Sequence, residues 1–192
     1  MVPRNYLDNL TGRLRAALGD ALRAVYLTGS AAVGAYRPGS SDLDVLVAVD
    51  GADRAALERV VATCSHEALP CPAAKLELVV YEAAELARPH VPPRWSLNFD
   101  TGESTHQVDY DPATQPAHWF VLDLAFASRH AVALYGSASI GTPSDDEIGQ
   151  AFAEMIEWFE ENEREAAPVA RARAEHWRTT GDFAPKPGLP ST

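Results

Sequence analysis

Leu7, Leu10, Leu14, Leu18 and Leu22 recur every three or four residues, the period of one helical face, with arginines between them. The spacing predicts an amphipathic helix over residues 4–22, weakened at its end by Gly19 and Asp20, with its apolar face covering a sheet. The period then changes. Val25, Tyr26 and Leu27 form a short apolar run that stops at Gly29-Ser30. A polar turn rich in Gly, Pro and Ser follows, and a second apolar run opens with Asp42 and Asp44, one residue apart. This pattern reads as strand, turn, strand. Because side chains alternate faces along a strand, Leu43, Val45, Val47 and Val49 share one face and the two aspartates share the other.

Gly51 opens a turn, and residues 52–67 carry Ala55, Leu57, Val60, Val61 and Cys64 at helical spacing, ending at the Pro-Cys-Pro turn over 70–72. Residues 75–81, KLELVVY, predict a third strand with Leu76, Leu78 and Val80 on one face and Glu77, Val79 and Tyr81 on the other. A strand–helix–strand unit of this kind packs its helix on the sheet face away from the aspartates. Residues 88–118 are Pro-rich and mixed, with short strands expected at 94–99 and 105–108. From Pro116 the period is helical: HWFVLDLAFASRHAVALYG reads as a helix whose apolar run is broken by Asp123 and which ends through Arg129 and His130 at Gly136. Ser144-Asp145-Asp146-Glu147 predicts a capping box for a helix to about residue 166, and Pro168 starts another to Thr180. Phe152, Met155, Ile156 and Phe159 form a stripe expected in the core.

The chain of 192 residues is long enough for one domain, or one with an appendage, and its 46% hydrophobic and 22% charged residues are ordinary for a globular protein. The formal net charge of −11 changes the picture more. Basic residues are scattered rather than gathered into the track a nucleic-acid phosphate backbone requires, so nucleic acid is a poor substrate, whereas a polycationic small molecule suits such a surface. Cys64 and Cys71 are too few and too loosely spaced for a zinc site, and a disulfide between them stays open. The six histidines lack ligand spacing. No signal peptide or span-length apolar run is evident, so a cytoplasmic location is the expectation.

The aspartates carry the candidate chemistry. Two like charges held on one strand face are costly unless a cation lies between them, and a hard divalent ion such as Mg²⁺ prefers carboxylate and phosphate oxygens. Gly29 permits a tight turn and close backbone approach, and Ser30 offers a hydroxyl at the start of a short helix. Taken alone, Gly-Ser is an ordinary turn and Asp-x-Asp a solvated strand end. In this order, between apolar strands, they have the layout of metal-assisted phosphoryl or nucleotidyl transfer. Glu77, an acid inside an apolar strand, needs a partner.

GSAAVGAYRPGSSDLDVLV resembles the signature of the DNA polymerase β-like nucleotidyltransferase superfamily, and its Pro-Gly-Ser-x-x-Asp form is similar to the aminoglycoside 3''-adenylyltransferases. The resemblance implies an α/β (α+β) nucleotidyltransferase domain over residues 1–115, a short mixed sheet backed by helices, then a partial helical domain over 116–180; the Pro-rich composition of the tail over 181–192 predicts disorder there. It implies transfer of AMP from ATP to a hydroxyl of an aminoglycoside-type antibiotic. Asp42 and Asp44 would be catalytic Mg²⁺ ligands, and Gly29, Ser30 and Ser41 would bind the nucleotide. LELVVY matches the strand on which relatives carry a third carboxylate, which makes Glu77 the expected general base, with metal ligation as the alternative. Trp95, Asp100, Glu103 and Asp109 are candidates for the acceptor pocket, although for any one of them a surface-loop position is the first expectation. Asp123 is expected first as a helix-buried acid, with the acceptor site as the alternative.

The longer adenylyltransferases continue through further helices where this chain ends in DFAPKPGLPST, which leaves the acceptor half of the site less supported than the nucleotide half. A homodimer completing the cleft stays open. So do two other readings: an antitoxin-type nucleotidyltransferase that modifies a partner protein, and a non-catalytic nucleotide-binding relative.

Overall fold

The computed structural model describes residues 2–183. The tail expected to be disordered falls, from residue 184 on, outside the described residues. Helix α1 (Arg4–Leu18) buries Tyr6, Leu10, Leu14, Ala17 and Leu18. It stops short of the expected residue 22, because Gly19 and Asp20 are poor helix formers; a single 3₁₀ turn follows, and Leu22 is already the first residue of β1 (Leu22–Leu27). A short helix α2 (Gly29–Ala32) leads through the Pro-Gly-Ser turn to β2 (Leu43–Val49). Next come α3 (Arg54–Cys64), capped by the Asp53 carboxylate on the Ala56 N–H at 2.7 Å, and β3 (Lys75–Glu82). The chain continues through α4 (Ala83–Ala87), β4 (Trp95–Gly102), β5 (His106–Asp109), α5 (Ala117–His130), β6 (Val132–Gly136), α6 (Asp145–Asn162) and α7 (Ala167–Thr180).

The six strands form one mixed sheet in the order β5-β4-β3-β2-β1-β6. β2 and β3 are parallel, joined by the α3 crossover, and the other neighbours are antiparallel. One face is apolar but for the buried Thr101, which lies opposite Leu76 and whose hydroxyl accepts the His66 N–H at 2.8 Å. Val25, Leu27, Leu43, Val45, Val47, Val49, Leu76, Leu78, Val80, Leu97 and Phe99 pack there against α1 and α3. The other face is divided. Its lower part, with Ala24, Tyr26, Leu46, Ala48, Tyr81 and Trp95, is covered by Phe120, Leu124 and Ala127 of α5. Its upper part carries the polar residues described below. α6 and α7 pack behind α5, where Ile148, Phe152, Met155 and Ala170 meet Val121, Leu122 and Ala125.

The stretch 118–136 is not one helix. α5 ends at His130, Ala131 turns extended, and Val132–Gly136 pairs with β1 as the sixth strand. The unpaired outer edge of β1 supplies the backbone partners that a continued helix would have left unused. Beyond β6 the chain is pinned by Tyr26, whose hydroxyl donates to the Ala138 carbonyl at 2.6 Å and accepts from the Ala138 N–H at 2.7 Å. Cys64 and Cys71 are free and buried, and burial pushes the Cys64 thiol up to about 11. Among the described residues no helix is long and apolar enough to cross a membrane.

Candidate active site

Strand alternation and register build the site. Just past the end of β1, Thr28 continues the face of Ala24 and Tyr26, and its N–H donates to the Asp44 carbonyl at 2.9 Å. Parallel pairing sets Asp44 beside Glu77, and antiparallel pairing sets Glu77 opposite Asp100 and Asp100 opposite Gln107. A row of Thr28, Asp44, Glu77, Asp100 and Gln107 thus runs from the end of β1 across β2, β3, β4 and β5. Asp42, two residues before Asp44, belongs to the same face, and its charge acts on Asp100. The carboxylates are half-buried, at the part of the face that α5 leaves uncovered.

Gly29 lies directly on this row. Its φ is +59°, and a Cβ placed there would fall 1.8 Å from Asp44 Oδ2 and 2.5 Å from its Cγ. No side chain fits. On either side of Gly29 are two hydroxyls, Thr28 at 7% exposure and Ser30 at 8%, whose oxygens are buried and have no hydrogen-bond partner. Leaving such a group unsatisfied costs about 1–3 kcal/mol, so a pair of them marks a place built to meet acceptor atoms from elsewhere. Ser41 is engaged differently: its Oγ accepts the Arg37 N–H at 3.0 Å and closes the turn that delivers Asp42.

The partner that Glu77 requires is Lys75, one position back on the same face. Lys75 Nζ lies 2.5 Å from Glu77 Oε1 and 2.8 Å from Asp100 Oδ2. Burial disfavours the ammonium charge, but hydrogen bonds and charge from Asp100 and Glu77 outweigh it and hold the lysine above its usual range. Asp100 moves up as well, through burial and through the neighbouring charges of Glu77 and Asp42, against which Lys75 works. The cation has two carboxylates to itself and is the better-satisfied member; Asp100 shares one cation among several like charges.

Among the described residues no three His, Cys, Asp or Glu side chains form a metal cage. Two aspartates on one face, with orphaned hydroxyls and a close backbone turn beside them, fit Mg²⁺, an ion that completes its shell with water and substrate phosphate oxygens.

The other expected acceptor residues scatter. Trp95 is core, its ring centroid 5.3 Å from that of Phe120. Glu103 is exposed at the β4–β5 turn, and Asp109 is occupied with Gln115 and Thr114. Asp123 is exposed rather than helix-buried, and its charge reaches Tyr81 and Arg173. The α5 stripe that faces the sheet is Phe120, Leu124 and Ala127, and Asp123 lies off that stripe. Thr28 and Lys75 were not anticipated, though each could be found by counting two residues along its strand from Tyr26 or Glu77.

Residues 9–87 match the family model of the nucleotidyltransferase domain. That span runs from α1 through α4 and holds every residue of the row up to β3, but stops before Asp100. A spectinomycin adenyltransferase, AAD(9) from Enterococcus faecialis, solved with ATP and spectinomycin, shares the fold at a TM-score of 0.71 and 19% identity; the match covers 95% of this chain and 79% of that one. A toxin–antitoxin structure with AMP-PNP aligns over 86% of this chain and 96% of its own, at 13% identity and a TM-score of 0.35. No curated protein matches the chain in sequence.

Proposed function

We propose that this chain, whose residues 9–87 match the nucleotidyltransferase domain, transfers AMP from ATP to a hydroxyl of a small cationic acceptor of aminoglycoside type. The observation that carries the reading is the contact of Gly29 with the Asp44 carboxylate, flanked by the unpartnered Thr28 and Ser30 hydroxyls. Backbone close to a metal-binding carboxylate, with hydroxyl donors beside it, suits a triphosphate. Asp42 and Asp44 would hold Mg²⁺, which when bound neutralises phosphate charge and makes the α-phosphorus easier to attack.

The chain's own residues do the rest. Ser30 and Thr28 donate to phosphate oxygens, and their buried setting makes these bonds stronger than they would be in water. Glu77, in the next strand position to Asp44, accepts the proton of the acceptor hydroxyl as that oxygen bonds to the α-phosphorus and pyrophosphate leaves. Ser41 shapes the turn that presents Asp42. Net charge and the carboxylate row favour a cationic acceptor, in keeping with a fold shared with a spectinomycin adenyltransferase.

The test is mass spectrometry of the full chain with ATP, Mg²⁺ and a panel including streptomycin and spectinomycin, with Asp44→Asn as control. One adenylyl group should appear on a panel compound and be absent with the control. ATP binding without modification of any compound would overturn the acceptor class, and equal modification by Asp44→Asn would overturn the site.

A further inference from the structure

Glu77 and Asp100 are direct partners across an antiparallel strand pair, where like charges repel. What lets the two stand there is the Lys75 ammonium, in contact with one oxygen of each. We propose that Lys75 and Asp100 form a positioning pair that aims the Glu77 carboxylate at the acceptor hydroxyl. The proposal rests on the reading of Glu77 as proton acceptor.

A glutamate half exposed on a strand has several rotamers and loses entropy when held in one. Lys75 engages Oε1 and leaves the other oxygen for the incoming proton. Lys75 shares the β3 face of Glu77, so a lysine held by Glu77 alone would swing with it. Asp100 comes from β4 and supplies the second anchor, so the ammonium is fixed from two strands. The sheet register, not the flexible side chains, then sets where the carboxylate points. An arginine at 75 could reach the same two carboxylates, whereas a methionine keeps the stem and loses the tether.

Neither residue touches substrate in this account, so the effect should fall on kcat. The experiment compares Lys75→Met, Lys75→Arg and Asp100→Asn with the wild type and with Glu77→Gln. It uses the full chain with Mg²⁺-ATP and whichever of streptomycin or spectinomycin is modified. Melting temperature and ATP binding by calorimetry are recorded for each. Lys75→Met is expected to lose about 10²-fold in kcat, the order of loss that misplacing a reacting group by an ångström produces. KM for ATP and ATP affinity should stay near wild type, the melting temperature should fall because Glu77 and Asp100 are left facing one another uncompensated, Asp100→Asn should lose less kcat, and Lys75→Arg should recover most of kcat.

Wild-type kcat in Lys75→Met while Glu77→Gln is impaired would overturn the positioning role and leave Glu77 as base. A kcat loss accompanied by an equal loss of ATP affinity, with no rescue by arginine, would overturn it as well, since Lys75 would then only hold the fold. Full activity in Glu77→Gln would instead overturn the reading on which the pair depends. Failure of the wild type to modify either compound would remove both.

Discussion

At the scale of single residues, Gly29 makes the sharpest demand. A methyl group at this position meets the Asp44 carboxylate at 1.8 Å and also forces an L-residue to φ +59°. The first problem is relieved only if Asp44 swings away, and the second costs about 1–2 kcal/mol on its own. Gly29→Ala should therefore lose about 2–4 kcal/mol in urea unfolding and fall to the transfer level of Asp44→Asn. Gly34 is the control. It too has a positive φ, +74°, but nothing lies within 4 Å of an added Cβ, so Gly34→Ala should pay the conformational cost alone and keep transfer. Equal loss of transfer in both variants would show that the turn, rather than the approach to Asp44, is what matters. The need for glycine at 29 was legible as a motif, and so were the shared face of Asp42 and Asp44 and the exceptional placing of Glu77, because strand alternation is local. The partner of Glu77 was half legible. Lys75 lies on the same strand and follows from the same counting, but Asp100 faces Glu77 only through a β3–β4 register that no local period contains.

At the scale of elements, α6 shows how a local signal becomes stability. The Ser144 hydroxyl accepts the Glu147 N–H at 3.3 Å, while the Ser144 N–H donates to Glu147 Oε2 at 2.7 Å, a complete capping box read directly from Ser-x-x-Glu. The Ser144 hydroxyl, then its N–H, hold the Glu147 carboxyl below the usual glutamate range. The bound carboxylate thus stabilises the fold above the unfolded glutamate pKa of about 4.3, and that contribution disappears as pH falls through the lower folded value. Ser144→Ala should cost about 1 kcal/mol at neutral pH, and the difference from wild type should shrink below about pH 4; urea midpoints at both pH values check this. A difference independent of pH would assign the loss to the N–H cap alone. β6 is the opposite case. Its Val-Ala-Leu-Tyr run follows the polar Ser128-Arg129-His130 that ends α5, and what makes it a strand is the open edge of β1, a tertiary fact. The strands β2 and β3 were readable because one face of each repeats apolar residues with period two, while Asp44 and Glu77 stand on the other.

At the scale of the whole molecule, the long-range consequence is electrostatic. Sixteen basic against twenty-seven acidic residues give −11 on 192 residues, so the protein attracts cations and repels an anion such as the proposed nucleotide. On the proposed function a triphosphate would be held by short-range groups, namely the Thr28 and Ser30 hydroxyls and a metal on Asp42 and Asp44, whose effect survives salt. An aminoglycoside-type cation gains from the field at a distance, and that gain is screened once the Debye length falls from about 10 Å at 0.1 M to about 3 Å at 1 M. Raising ionic strength should therefore move the two Michaelis constants in different senses: KM for a polycationic acceptor should rise severalfold, while KM for ATP should stay level or fall. Steady-state kinetics with each substrate varied in turn, in a salt that does not compete for Mg²⁺, measures both. A parallel rise would mean that salt acts on the metal or the fold. A flat acceptor KM would mean that the acceptor is recognised by contact alone, leaving the acidic surface without a part in choosing it.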